Sequence, residues 1–305
     1  MAKAVAVKKK SGLKNKDYVG ALMVIPFVVV FCIFSVYPVL RTLYLSFTNY
    51  KGYGAATFTG FTNYIRCLTD KFFWIAFWNT VKMWGVNIIL QLGLAFLLTI
   101  VFSDIKYKIK GLPIFRTVFY LPNLIAVTTV AFLFSNLLDR SYGSVNQILM
   151  STGISKTPID WLGNKNITPY VISVIQTWMW FGNSFIMLMA SVQGINNDYF
   201  EAAAIDGAGR WTVFGKITLP LIKPILLYVS ITSLIGGLQL FDLPFLMCNG
   251  TIGDPHGSTQ TIIMYLYKFG FETWQTGYAA SVAYVLFVIV LIISIIQLKL
   301  GWKED

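Results

Sequence analysis

The chain has 305 residues, 56% of them hydrophobic and only 12% charged, which is too apolar for a water-soluble globule. Its formal net charge of +11 is not gathered on one polar segment, which argues against a nucleic-acid partner. Cys32, Cys67 and Cys248 lack CxxC spacing and form no ligand cluster with the single histidine, His256, so neither a redox pair nor a metal site is expected.

In chain order, residues 1–17 carry six lysines and read as a basic tail. The uncharged run from Tyr18 to Leu40 is too long for a signal peptide and has no clear small-residue cleavage site, so a retained membrane helix is expected, ending near Tyr37-Pro38 and Arg41. Residues 41–78 read as a polar, aromatic loop. Charge-free runs follow at Met83–Ser103, Thr117–Leu138, Asn166–Asn197, Pro224–Phe241 and Thr273–Leu298, the fourth of these only marginally long enough to span. The fold class expected is therefore all-α and polytopic, six transmembrane helices in one domain over 18–305, with both termini on the same side. Lys and Arg number 15 on the face holding the termini and 8 on the other, with Lys82 at a boundary, which puts the termini in the cytoplasm and residues 41–78, 139–165 and 248–272 outside.

The most distinctive stretch lies on the cytoplasmic face. Asp198 and Glu201 read as a capping box, the alanines Ala202, Ala203 and Ala204 favour a thin helix, and Gly207 and Gly209 let the chain turn out of it. Arg210 to Pro220 follows, and Pro220 and Pro224 suit the start of a further helix. The order Glu201-Ala202-Ala203, Gly207, Ile217-Thr218-Leu219-Pro220 closely resembles the coupling motif of permease subunits in ABC importers. Its Asp206-Gly207-Ala208 form resembles the sugar-importing branch. Tyr37-Pro38, Ser46-Phe47-Thr48-Asn49, Phe61-Thr62-Asn63-Tyr64 and Phe77-Trp78-Asn79-Thr80 add a resemblance to the maltose-permease type. Further matches run through Phe115 to Pro122, Tyr142-Gly143, Trp178 to Gly182, Ala190 to Ile195 and Gly277 to Ala280. Two departures stand out: the 41–78 loop is too short for the large insertion of the enteric maltose subunit, and Met247 to Pro255 replaces the usual outer-gate pattern.

The resemblance implies one permease of a pair in a prokaryotic cell membrane, coupled through 198–220 to an ATPase dimer and supplied by an extracellular sugar-binding protein. Glu201, Ala202, Ala203, Asp206, Gly207, Leu219 and Pro220 are the coupling residues it implies. ATP and magnesium would belong to the partner ATPase, because this chain has no Walker A loop: Gly209 to Lys216 has the wrong spacing and no hydroxyl follows. No nucleophile–base or paired-carboxylate arrangement suggests an enzyme.

Polar residues inside the spans are candidates for the sugar path. Gln176, Trp180 and Asn183 fall at i, i+4 and i+7 on one helical face, and Trp84, Asn87 and Gln91 form a similar stripe. Either stripe can bind a sugar or simply join helices by hydrogen bonds. In the fifth span Gly236-Gly237, Gln239, Asp242 and Pro244 interrupt regular helix, as backbone lining a cavity does, and Gln239 and Asp242 are the contacts expected there. The alternative is an ion-coupled secondary transporter, which would need intramembrane charge pairs or internal repeats that the sequence does not offer.

Overall fold

The computed structural model describes residues 15–102 and 111–301. Most of the basic tail, the lysines at 106, 108 and 110, and Lys303 lie outside the described residues. Among the described residues the only β-structure is an isolated bridge between Thr48 and Phe58; everything regular is helical.

The first span runs through α1 (Asn15–Phe31), a π-helical stretch (Cys32–Val36) and α2 (Tyr37–Ser46). Pro38 does not end it, contrary to expectation. It falls at the start of α2, directly after the widened π turn, where its missing amide proton is accommodated. The 41–78 segment is likewise only partly a loop. α3 (Thr62–Thr69) and the first turns of α4 (Lys71–Phe102) occupy its second half. At about 1.5 Å per residue the 32 residues of α4 reach about 48 Å, well beyond the ~30 Å of hydrocarbon, so its polar first turns stand clear of the apolar layer. The Asn63 side-chain amide donates to the carbonyls of Ser46 (3.0 Å) and Thr48 (2.9 Å), folding the intervening loop back on α2.

The third expected span is not one helix. α5 (Leu112–Leu124) and α6 (Val127–Leu137) meet at 90°. Ile125 and Ala126 both take ψ of 134°, and Pro122, one turn earlier, has no amide proton to give the ladder. A short α7 (Ser144–Ser151) leads to α8 (Thr168–Gln193), the central helix. After it come α9 (Asn197–Ile205), α10 (Arg210–Val213), a π-helical stretch (Phe214–Thr218), α11 (Leu219–Leu221) and α12 (Lys223–Leu238). The 210–221 and 223–238 pieces are bent by 73°. The chain ends through α13 (Asp242–Met247), α14 (Ile262–Tyr267) and α15 (Thr276–Gly301). By length and composition four helices can cross a membrane, or up to six crossings exist if each bent pair is one span.

Helix α8 packs along α4 and against α5, and α15 against α2, α3 and α12. Three apolar clusters stack along this axis. One gathers Phe73, Leu234, Tyr265 and Tyr278; the next Met83, Ile172, Met179 and Leu243; the last Phe185, Leu188, Phe200 and Ile222. The window of the first span, by contrast, buries nothing inside this chain. Exposed Leu, Ile, Phe and Val are what lipid or another membrane subunit solvates.

Candidate functional site

A cavity of about 300 Å³ lies between α4, α8, α12 and α13. Gln176, Trp180, Asn183, Gln239 and Asp242, the five path residues expected from the sequence, all line it. The backbone explains why. Helix α12 stops at Leu238; Gln239 is its C-cap, and Asp242 is the first residue of α13, so both side chains stand at an interruption of the ladder. Gly236 opens onto the cavity, and a Cβ there would meet no described atom within 4 Å. Its neighbour Gly237 is the reverse: a Cβ would lie 2.0 Å from Trp84 Cδ1, so its bare backbone lets α12 seat on α4.

Gln176 is 8% exposed, and its Oε1 has no hydrogen-bond partner among the described residues. A buried amide oxygen of this kind is costly unless something donates to it. The wall opposite is satisfied from within. Gln91 Nε2 donates to Ser184 Oγ (2.7 Å), Asn87 Nδ2 to Gln91 Oε1 (3.3 Å) and Thr177 Oγ1 to Asn87 Oδ1 (3.1 Å). Asn87 and Gln91 thus touch the cavity while also joining α4 to α8. Trp84 of the same sequence stripe packs away from it against Gly237. Asp242 is the one charged side chain among the described residues on the lining.

The second site is the 197–220 segment. Asn196, not Asp198, caps α9: its Oδ1 accepts from the Asp198 amide at 3.1 Å, placing Asp198 in the first turn. The Asn196 side chain, two residues earlier, takes the Asp198 amide that Glu201 would have accepted in a capping box. The exit follows the sequence reading. Gly207 has φ of +72°, its N–H donates to Ala204 O (3.2 Å) and that of Ala208 to Ala203 O (2.9 Å). Those two bonds are a Schellman turn, which glycine enters without strain. Glu201, Ala202, Asp206 and Gly207 face outward, while Ala203 is buried and Leu219 half-buried; Pro220 is exposed within α11. Ile205 is 87% exposed. Phe200, 7% exposed, plugs α9 into the cluster of Phe185, Leu188 and Ile222. The sequence reading passed over it; an aromatic one residue before the charged Glu201 was the available signal.

The Met247–Pro255 stretch folds on its own bonds: Cys248 Sγ donates to Asp254 O (2.9 Å) and Thr251 Oγ1 to Asp254 Oδ2 (2.9 Å). No group of three His, Cys, Asp or Glu side chains among the described residues is arranged to hold a metal ion.

Residues 92–300 match the family model described as binding-protein-dependent transport system inner membrane component. The chain belongs to this family. This permease is 36% identical over 296 residues to the lactose transport system permease protein LacF of Rhizobium radiobacter, covering 96% of this chain and 97% of that one. It is 30% identical over 298 residues to the arabinooligosaccharides transport system permease protein AraP of Bacillus subtilis, covering 96% and 93%. The trehalose/maltose transport system permease protein MalF of Thermococcus litoralis is 30% identical over 295 residues, covering 95% and 96%. In fold it matches a chain of a bacterial ABC transporter involved in alginate import, with a TM-score of 0.82 at 22% identity over 95% of this permease and 98% of that chain. The permease is a membrane component of a binding-protein-dependent ABC-type importer, not an ion-coupled secondary transporter and not itself the catalytic subunit.

Proposed function

We propose that this permease imports sugars or short oligosaccharides, forming half of a translocation path whose other half is a homologous permease. An extracellular sugar-binding protein delivers the substrate, and an ATPase dimer carrying ATP and magnesium drives it. The single observation that carries this reading is the cavity at the α12–α13 interruption, whose lining residue Gln176 has a buried side-chain oxygen with no partner among the described residues. A sugar hydroxyl supplies the donor that oxygen lacks, Gln239 donates and accepts, Asp242 accepts strongly, and the Trp180 ring covers an apolar sugar face. The names of the relatives, lactose, arabinooligosaccharides and trehalose/maltose, support this class of cargo.

Six crossings follow if each bent pair is one span, with both termini cytoplasmic as the lysine and arginine distribution requires. Helix α9 then faces the cytoplasm and seats in the ATPase, with Glu201, Ala202, Ala203, Asp206 and Gly207 forming the contact and Leu219 and Pro220 closing the segment. The test is sugar flux and ATP turnover on the same reconstituted complex. Losing a hydrogen bond to a charged group costs about 1.5–3 kcal/mol, so Asp242→Ala lowers flux by about ten-fold or more, while ATPase stimulation by the loaded binding protein persists. Gln176→Ala and Gln239→Ala act the same way, more weakly. Undiminished flux in all three variants overturns the assignment of the path.

A further inference from the structure

If the α8–α12–α13 cavity seats the sugar, its inner exit is written into the same two helices. A second cavity of about 680 Å³ lies toward the cytoplasmic end of α8, lined by Ala190 and Ser191 from α8, its C-cap Gly194, Tyr199 from α9, and Leu221 and Ile225. The upper cavity takes Gln176, Trp180 and Asn183 from α8, the lower takes residues 190, 191 and 194, and these positions recur every three or four residues along one helical face. Helix α12 runs antiparallel beside it, with Val229, Thr232 and Ser233 on the upper cavity and Ile225 on the lower. Among the described residues a single one borders both cavities: Met187. Its thioether receives the Asn183 side-chain amide at 3.9 Å, and the side chain is half-buried.

We propose that Met187 is the inner gate of the path, and that the α8–α12 groove below it is the release channel. The chemistry changes sign at this residue. Above it are amides, hydroxyls and a carboxylate that hold a polyol; below it small and aliphatic side chains predominate, leaving room but few bonds to recapture it. A closed thioether blocks a sugar because its hydroxyls would have to shed water against an apolar plug. An unbranched side chain with three rotatable bonds swings aside without moving backbone, and the weak N–H···S contact does little to oppose it. The channel opens beside Asn196 and Tyr199, at the root of α9, so a displacement of that helix acts on the groove directly.

The test does not depend on which sugar is carried. In the full nucleotide-free complex, with Cys32, Cys67 and Cys248 replaced by serine, a bulky membrane-impermeant maleimide is applied from the cytoplasmic face of inside-out vesicles. Asn183→Cys, above the gate, reacts at least ten-fold faster when combined with Met187→Ala than with Met187 intact, and Met187→Leu restores the slow rate. Ser191→Cys, below the gate, reacts at one rate in all three backgrounds. Equal rates at Asn183→Cys whatever stands at 187, or acceleration of Ser191→Cys to the same degree, overturns the gate. Failure of the sugar seat shows separately, as undiminished flux in Asp242→Ala, Gln176→Ala and Gln239→Ala alike, and leaves this labelling pattern where it stands.

Discussion

Two adjacent glycines in α12 face opposite fates on gaining a methyl group. In a helix interior Gly→Ala is favourable by about 0.8–1.0 kcal/mol, and that gain is common to both positions. At Gly236 nothing described lies within 4 Å of the new Cβ, so the gain is kept and the methyl projects into the upper cavity. At Gly237 the Cβ would lie 2.0 Å from Trp84 Cδ1, 2.7 Å from Cγ and 2.9 Å from Nε1. Carbon atoms pack at about 3.5–4.0 Å, so the rigid indole or the helix must retreat by about 1.5 Å. Overpacking of this kind costs about 1–3 kcal/mol, which leaves Gly237→Ala less stable than Gly236→Ala by that amount. The assay is the thermal midpoint of the purified complex, followed as loss of the monodisperse species, alongside sugar uptake. Gly236→Ala is expected to hold or raise the midpoint while uptake falls; Gly237→Ala lowers both. Equal midpoints for the two variants, or unchanged uptake in Gly236→Ala, would refute the geometry argued for α12.

Gly207→Val forces a β-branched residue to φ of +72°, a strain of about 1–2 kcal/mol in otherwise open space, and is expected to uncouple ATP hydrolysis from uptake in a subunit that still inserts. A cysteine at Ile205 should cross-link to the ATPase surface; normal transport in Gly207→Val with no cross-link anywhere would remove α9 from that interface. For topology, Lys156→Cys on intact cells is expected to react with an impermeant maleimide at neutral pH and Lys108→Cys is not, the reverse pattern inverting the orientation. Background from Cys67 and Cys248 is low. Burial, aided by nearby Asp70, pushes the Cys67 thiol up to about 12, and burial likewise raises Cys248, so both stay protonated until well above neutrality. Because Asp242 is the only charge that the described residues bring to the upper cavity, uronic acids should be taken up far less well than neutral sugars, and Asp242→Asn should narrow that gap; an unchanged ratio in the variant would exclude a charge filter at this position.

What was legible in the sequence was what local chemistry dictates. The Glu201–Gly207 helix and its exit turn depend on alanine propensity and a left-handed residue within one turn of it, and both are visible in ten letters. The interruption after Leu238 was legible for the same reason, since glycine pairs and Pro244 act where they stand. The helix limits were not. Runs without charge measure the apolar layer, whereas α4 begins at Lys71 because a helix once nucleated continues into water. The right angle at Ile125 was hidden because an uninterrupted apolar run is compatible with either a straight or a broken path. Equally hidden was the division of labour in the Trp84–Asn87–Gln91 stripe. Gln91 finds Ser184 across 93 positions of sequence, a partnership that only the packing of α4 on α8 reveals.

The Phe200 plug has a consequence for how such a subunit changes over generations. Phe200 and the buried Ala203 fix α9 to the membrane body, while Glu201, Ala202 and Ile205 turn outward. Residues on that outer side are therefore free to be rewritten to suit a different motor without disturbing the transmembrane interior. If α9 is the ATPase contact proposed above, engine and conduit meet at a joint two buried side chains wide, and a permease of this build can inherit a new ATPase by surface substitution as long as that seat is kept.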